Sequence, residues 1–178
     1  MTITVTPTGG GTVSGGGTYD YGSSVTLTAT PATGYDFVKF VDEEGSEYTT
    51  NPSSGWQITK NRTVQAVFAL KQYIITYAKR TGIASISRAS ETVNYGSNAQ
   101  GSTATLTTGY EFSGWYNSDD TRVSTSLTYA PTNVTASATY TAKATIKTFT
   151  VTVNAYYRDT DGTGDYTSGT TGGTVSGG

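Results

Sequence analysis

The sequence predicts an all-β protein built from small repeated units, and three observations support this prediction. The nine residues TGYDFVKFV at 33–41 return, little changed, as TGYEFSGWY at 108–116, which indicates an internal repeat. Apolar and polar residues alternate with period two, as along half-buried strands, and no window places apolar residues at helical spacing. The chain holds 22 Gly and 14 Tyr, with only 13% charged residues, a composition that favours strands and turns.

The similarity extends in both directions from this stretch and sets the boundaries of two full units. The pair Tyr-Gly at 21–22 returns at 95–96, and NRTVQAVFAL near the end of the first unit resembles NVTASATYTA in the second. We therefore predict a first β repeat at 1–70 and a second at 71–147. A unit of this size buries a small core and gains stability by packing on its neighbours.

A third unit begins after the second. TFTVTVNAYY predicts a strand over 148–155, and GGTVSGG at 172–178 copies residues 10–16. Residues 148–178 are therefore predicted to form an incomplete third repeat, a β-hairpin whose apolar face needs cover from elsewhere.

Within the first unit, each strand follows from its own alternation. Strands are predicted at ITVTP, GTVSGGG, SSVTLTAT, YDFVKFV, WQIT and TVQAVFA. PATG predicts a turn, because Pro31 presets one backbone angle and Gly34 accepts a positive one. The acidic run DEEGS predicts a hairpin tip. The last strand places Val64, Ala66 and Phe68 on one face, and Ala136, Ala138 and Tyr140 are predicted to take their places in the second unit. Each unit is thus predicted to be a small β-meander with little or no helix.

The aromatic residues are predicted to form the cores, because such small units contain few other large apolar side chains. This group comprises Tyr35, Phe37, Tyr110, Phe112 and Trp115; the alternative is an exposed surface for stacking sugars. Strict alternation places Trp115 opposite Phe112, but a bulge at Gly114 would return it to the core. Trp56 has no Trp counterpart in the second unit, and it is the candidate for an exposed, ligand-binding aromatic.

Several chemistries are excluded by composition. The chain has no His and no Cys, so a Ser-His-Asp triad and disulfides are impossible. A net charge of −2 argues against nucleic acid as a partner, and no stretch approaches the length of a membrane span. The carboxylates at 42–47 and 119–120 lie on predicted hairpin tips, where acids serve solubility. No catalytic residue is predicted.

One acidic loop is a candidate metal site. Asp159, Asp161 and Asp165 follow the spacing D-x-D-G-x-G-D. Alternate carboxylates around a glycine turn gather oxygen ligands for calcium in other proteins. The other interpretation is a hairpin loop rich in Asp and Gly, with no cofactor.

The motif order resembles a known family. The run from Tyr-Gly to Thr-Gly-Tyr-x-Phe-x-Gly-Trp, closing with Asn-x-Thr-x-x-Ala-x-Phe/Tyr, resembles the Listeria–Bacteroides repeats, which include the internalin B-repeat and its divergent relatives. It covers most of both full units, although Lys39-Phe40 stands where Gly-Trp is usual. The resemblance implies a β-grasp-like unit at most, in a secreted or wall-attached bacterial protein whose repeats act as spacers or in adhesion.

Two functions follow. The first is a non-catalytic structural spacer of a bacterial cell-surface or secreted protein, with neighbouring repeats as its partners. The alternative is a module that binds a host glycan or protein through exposed aromatic side chains.

Overall fold

The computed structural model describes residues 2–6, 8–153, 156–157 and 167–168. Two compact bodies form, Met1–Thr145 and Ile146–Gly178. The first body contains two successive versions of one strand pattern, which we call the first and second repeats. The described residues contain strands and turns but no helix, so the predicted all-β class is confirmed.

The first repeat folds into two sheets. Its strands are β1 (Thr2–Thr6), β2 (Gly11–Ser14), β3 (Ser24–Pro31), β4 (Tyr35–Val41), β5 (Glu47–Thr49), β6 (Ser53–Gln57) and β7 (Thr63–Leu70). One sheet has the order β1-β7-β4-β5 and the other β2-β3-β6. β1 runs parallel to β7, and the other neighbours are antiparallel. The first and last strands therefore pair directly, which alternation in the sequence does not indicate.

The second repeat has the same plan with one strand more. Its strands are β8 (Gln72–Lys79), β9 (Ile83–Ile86), β10 (Ser90–Asn94), β11 (Ser102–Leu106), β12 (Tyr110–Tyr116), β13 (Arg122–Ser124), β14 (Thr128–Tyr129) and β15 (Ala138–Ile146). The sheets have the orders β10-β8-β15-β12-β13 and β14-β11-β9. β8 again runs parallel to β15. The additional strand is β10, which pairs with β8, whereas residues 15–20 of the first repeat form no strand.

The core of the first repeat lies between its two sheets. Burial alternates along β3 and β7, because successive side chains of a strand point to opposite faces. The buried residues are Val25, Leu27, Ala29, Phe40, Trp56, Val64, Ala66 and Phe68. The predicted inward face of the last strand is confirmed.

The core of the second repeat centres on Trp115, whose side chain is fully buried. Gly114 and Trp115 are buried in succession, and the register of β12 with β13 shifts at Trp115. Gly114 has a φ of 137°, and a Cβ on it would lie 2.5 Å from the carbonyl oxygen of Ser124. The prediction that Trp115 returns to the core is confirmed, while the register shift lies between Trp115 and Tyr116, just after the position predicted for a bulge.

The remaining aromatic residues predicted for the cores are partly buried. Tyr35 and Phe37 pack against the first core, and Phe112 packs against the second. Tyr110 lies instead over a turn, where a Cβ on Gly82 would come within 2.3 Å of its ring. These residues line the cores or the adjoining turns.

The prediction for the last strand of the second repeat needs correction. Ala136 is exposed and precedes β15, whereas Ala138 and Tyr140 pack on the core around fully buried Ala142. The equivalence of the repeats is set by hydrogen bonds: Ile58 pairs with Gly22 and Ser23 as Val134 pairs with Gly96 and Ser97. Asn61 follows Ile58, but Asn133 precedes Val134, so the Asn-x-Thr motifs match in sequence and not in space.

Among the described residues of the second body, β16 (Tyr156–Tyr157) pairs antiparallel with β17 (Thr167–Ser168). The strand predicted at 148–155 is wrong for residues 148–153, which have no strand conformation and expose Phe149, Val151 and Val153. Alternating apolar residues form a strand only where a neighbour satisfies their backbone groups, and none of the described residues pairs with these. Residues 154 and 155 lie outside the described part of the chain.

Candidate functional site

The predicted metal site cannot be placed, because Asp159, Asp161 and Asp165 lie outside the described residues. Within the described ranges, no cluster of three or more His, Cys, Asp or Glu side chains is arranged to hold a metal ion. Calcium binding therefore stays a prediction from the spacing of the three aspartates.

The expectation that Trp56 is exposed is wrong, since only 4% of its surface is accessible. β6 pairs with β3 so that Trp56 lies opposite buried Val25, and its ring stacks on Tyr48 with 3.5 Å between centroids. In the second repeat, the core is filled instead by Trp115 on β12. A ligand-binding role for Trp56 loses its support.

The acidic hairpin tips are built as turns. The Asp42 carboxylate accepts hydrogen bonds from the amides of Glu44 and Ser46, at 3.0 and 2.8 Å. Asn117 does the same in the second repeat with the amides of Asp119 and Thr121, at 3.1 and 2.8 Å. The side-chain amide oxygen of Asn117 thus takes the place of the Asp42 carboxylate oxygen. The turn needs a side-chain hydrogen-bond acceptor at this position, but the acceptor need not be charged.

The most exposed aromatic side chain of either repeat is Tyr21, at 84% accessible. With Tyr19, Ile58, Thr59, Lys60 and Asn61, it lines an open groove of about 200 Å³ on the first repeat. The hydroxyl of Tyr19 donates to the carbonyl oxygen of Gly15 at 2.9 Å, which fixes one wall of the groove. We call this surface the Tyr21 face.

The equivalent surface of the second repeat is covered. Tyr95 corresponds to Tyr21, since each precedes a glycine of positive φ. The amide of Gly22 donates to the carbonyl oxygen of Ile58, as that of Gly96 donates to the equivalent Val134. The Tyr95 ring packs on Gly34 of the first repeat so closely that a Cβ there would lie 2.3 Å from a ring carbon. The ring of Tyr73 lies beside that of Tyr95, with 6.5 Å between their centroids, and helps to hold it in this position.

Backbone hydrogen bonds complete this junction between the repeats. The amide of Lys71 donates to the carbonyl oxygen of Gly34 at 2.8 Å, and the amide of Tyr95 donates to the carbonyl oxygen of Lys71 at 2.8 Å. Lys71 is the single residue between β7 and β8, and its side chain pairs with Asp36 at 3.5 Å. One residue therefore links the repeats and bonds to both.

The second repeat contains the same turn at Gly109, and none of the described residues covers it. Gly109 has a φ of 86°, close to the 83° of Gly34. Both turns are closed alike, by Tyr35 donating to Ala32 and Tyr110 donating to Thr107. A Cβ on Gly109 would meet no described atom within 4 Å. We call this surface the Gly109 turn.

A polar network fastens the additional strand of the second repeat. The Glu91 carboxylate on β10 accepts hydrogen bonds from the amides of Gln100 and Gly101, at 2.9 and 2.8 Å, and from the Tyr77 hydroxyl at 2.9 Å. The Arg88 guanidinium donates to the side chain of Gln100 at 2.6 Å. These bonds tie β10 and β8 to the loop that leads into β11.

The pKa values of this network follow from burial and hydrogen bonding. Burial alone would raise the pKa of Glu91, but the amides of Gln100 and Gly101, then Tyr77 and Arg88, lower it below its ordinary value. Burial and the bond to Glu91 raise the pKa of Tyr77. Burial and Tyr140 raise the pKa of Tyr129, deeper in the same repeat, to about 12. Glu91 is therefore ionised and Tyr77 neutral at physiological pH, which is the pairing that the hydrogen bond needs.

The repeated architecture and the residues at its turns correspond to a known family. A family model described as the divergent InlB B-repeat domain matches residues 1–72 and 74–161, which together make up more than half of the chain. The chain belongs to the divergent InlB B-repeat family. A search of curated proteins and a search of solved structures each gave no significant match.

Membership confirms the resemblance predicted from the sequence. Divergent InlB B-repeats are repeat domains of bacterial surface proteins, and the family is generally non-catalytic. The described residues include no helix suited to crossing a bilayer.

Sequence analysis missed the junction, although its signal was present. The Tyr-Gly pair and the Thr-Gly turn both recur, and both were used only to align the repeats and to predict turns. Both recur in each unit, and the Tyr-Gly pair of the second unit packs on the Thr-Gly turn of the first.

Proposed function

We propose that this chain is a non-catalytic structural module of a bacterial secreted or cell-surface protein, in which serial β repeats space or present other parts of the molecule. The observation that carries the proposal is the junction at Lys71. A one-residue link bonded to Gly34 and Tyr95 leaves the two repeats little freedom to reorient. Repeats that contact mainly their neighbours form extended, additive arrays.

The arrangement of ionisable groups supports a non-catalytic role. The carboxylates of the hairpin tips are largely exposed, and Asp42 serves its own turn. The pKa shifts of Glu91 and Tyr77 arise in a network that ties strands together, so they have a structural cause. Acid–base catalysis needs such groups to converge on a substrate, whereas here they are saturated by partners in the protein.

The Tyr21 face supports a second candidate function, recognition of a host glycan or protein. Two tyrosines beside Lys60 and Asn61 offer an aromatic surface with polar groups at its edge, as binding sites for polar ligands commonly do. The location proposed for either function is the bacterial exterior.

Rigidity of the junction tests the spacer proposal. In residual dipolar coupling measurements on the whole chain, both repeats are expected to share one alignment tensor. Tyr95→Ala removes the ring from Gly34, and the two repeats are then expected to need separate tensors while each keeps its own fold. Val123→Ala, at an exposed position on β13, is the control and is expected to leave a single tensor. Separate tensors in the unsubstituted protein would contradict a rigid spacer.

A glycan array probed with the whole chain tests the alternative. Under the spacer proposal no glycan is retained. Retention of a glycan that Tyr21→Ala abolishes and Val123→Ala does not would favour recognition. Because the Tyr21 ring is almost entirely exposed, its loss is expected to leave the fold intact, so lost retention would report on binding.

A further inference from the structure

The junction between the repeats has two parts, and each part occurs a second time on this chain. The aromatic part is the Tyr95 ring, and its equivalent on the first repeat is Tyr21. The receiving part is the turn at Gly34, and its equivalent on the second repeat is Gly109. In the junction the two parts are in contact, whereas Tyr21 is exposed and no described atom lies within 4 Å of a Cβ built on Gly109.

Gly109 and Tyr21 expose the surfaces that their counterparts, Gly34 and Tyr95, bury in the junction. Gly34 is buried beneath the Tyr95 ring, while Gly109 is exposed and has open space above its Cα among the described atoms. Tyr21 is 84% accessible, while Tyr95 is partly buried. The first repeat thus exposes a tyrosine equivalent to Tyr95, and the second repeat exposes a glycine with the same positive φ as Gly34.

We propose that a second copy of this chain binds these surfaces, with the Tyr21 ring of one molecule on the Gly109 turn of the next. The contact reproduces between molecules the one that Tyr95 and Gly34 make within the chain. This inference rests on the proposed function, since it extends the spacer array beyond one molecule. It also identifies the Tyr21 face as a protein-docking surface.

The geometry determines the form of the assembly. The two surfaces differ, so the contact is head-to-tail, and such contacts continue into chains unless a rotation closes them into a ring. Within one molecule, the Lys71 link holds the partners at a high effective concentration. Between molecules that advantage is absent, and one ring with few hydrogen bonds must overcome the entropy of association. Association is therefore expected in the millimolar range.

Backbone conformation favours a repeat as the occupant of the Gly109 turn. The turn at 107–110 reproduces the hydrogen bond and the positive φ of the turn at 32–35, which already receives a tyrosine. The chain shows no contact between such a turn and a sugar or an unrelated peptide. The contact of Tyr95 with Gly34 shows how a repeat binds one, and a second copy can make the same contact.

Two substitutions separate the two surfaces. Tyr21→Ala removes the ring from an exposed position. Gly109→Asn adds a side chain in the path of the ring, and Asn tolerates a positive φ better than other residues with a side chain. Gly45→Asn is the matched control, because Gly45 has a φ of 81° and open space around a built Cβ but lies on the hairpin tip after β4.

Sedimentation equilibrium of the whole chain, from micromolar to millimolar concentration, gives the first readout. The unsubstituted protein and Gly45→Asn are expected to associate alike, into species larger than dimers. Tyr21→Ala and Gly109→Asn are each expected to raise the dissociation constant at least tenfold. Amide resonances of Tyr21 and Gly109 are expected to shift with concentration.

Mixing the two variants gives the decisive readout. Tyr21→Ala keeps an intact Gly109 turn, and Gly109→Asn keeps an intact Tyr21 face, so an equimolar mixture is expected to form heterodimers and nothing larger. A monomeric unsubstituted protein at millimolar concentration would overturn the proposal, as would association that survives both substitutions. Neither result affects the rigidity of the Lys71 junction, which the alignment tensors report separately.

Discussion

The two repeats share a strand plan but fill their cores from different strands. In the second repeat, Trp115 on β12 occupies the centre and donates its indole N–H to the carbonyl oxygen of Leu127 at 3.1 Å. In the first, the smaller Phe40 takes the equivalent place on β4, and Trp56 enters from β6 in the other sheet. The comparison shows that a core of this fold can receive its large ring from different strands.

The repeats also differ in how the segment before the Tyr-Gly pair is held. The second repeat forms β10 there, and Glu91 fastens it to Tyr77 and to two amides. The first repeat has a run of glycines at 15–17 and no strand. Glu91 thus accompanies β10, because β10 lies close to the loop at 100–101 and the Glu91 carboxylate accepts hydrogen bonds from the amides of that loop.

The largest expected effect is on the ring at the centre of the second core. Trp115→Ala should lower the free energy of unfolding of the second repeat by about 3–5 kcal/mol, as for large buried aromatics in general. Thermal denaturation followed by NMR resolves the two repeats, and the resonances of β11 and β12 are expected to vanish before those of β3 and β4. Loss of both repeats at one temperature would show that the junction couples them fully.

The junction glycine should give the next largest effect. Gly34→Ala and Gly45→Ala both place a side chain at a positive φ, which costs about 1–2 kcal/mol. Only at Gly34 does the new Cβ meet a ring, that of Tyr95, and overpacking of this kind costs about 1–3 kcal/mol more. Urea unfolding of the two variants measures the difference. Equal destabilisation would mean that Tyr95 moves aside at no cost.

Glu91 should make the second repeat sensitive to acid. Its pKa in the folded state lies below the unfolded value of about 4.3, so the unfolded state binds the proton more readily. The stabilisation is present above that pH and is lost as the pH falls through the folded pKa. Glu91→Gln is expected to be less stable than the parent at pH 7, and the difference should shrink below about pH 4.

Urea denaturation at a series of pH values, followed through resonances of β10, measures this dependence. The first repeat serves as an internal reference, because glycine stands in place of Glu91 there. A difference between parent and variant that stays constant with pH would contradict the role assigned to the carboxylate.

The smallest effect separates the two tryptophans. Trp56 Nε1 is buried and has no hydrogen-bond partner among the described residues, so Trp56→Phe loses ring volume alone. Trp115→Phe also loses the bond to Leu127 and should cost about 1 kcal/mol more. Chemical denaturation of both variants tests this, and an equal cost would mean that the Leu127 bond contributes no net stability.

Local pattern was sufficient to predict most strands and their inward faces. Leu27, Ala66 and Phe68 are buried as alternation requires, and Trp115 lies in the core as predicted. The pattern failed where long-range pairing decides. It predicted a strand at 148–153, where none of the described residues supplies a partner, and it matched Ala136 to a strand position by a motif that hydrogen bonds place elsewhere.

The candidate functional site could not be predicted from the sequence for a related reason. Exposure is a property of the neighbours, so the same Tyr-Gly pair gives a free ring at Tyr21 and a covered one at Tyr95. Trp56 was the candidate for an exposed aromatic because it has no Trp counterpart, yet it is buried where β6 pairs with β3.

The sequence by itself determined the all-β class, the two-fold repetition, the family and the absence of His and Cys chemistry, because these depend on composition and local periodicity. Only the tertiary structure decided the parallel pairing of the first and last strands of each repeat, the burial of Trp56 and the packing of the Tyr95 ring on Gly34. Each of these is a contact between residues far apart in the chain, and such contacts are set by how strands pack rather than by the residues beside them.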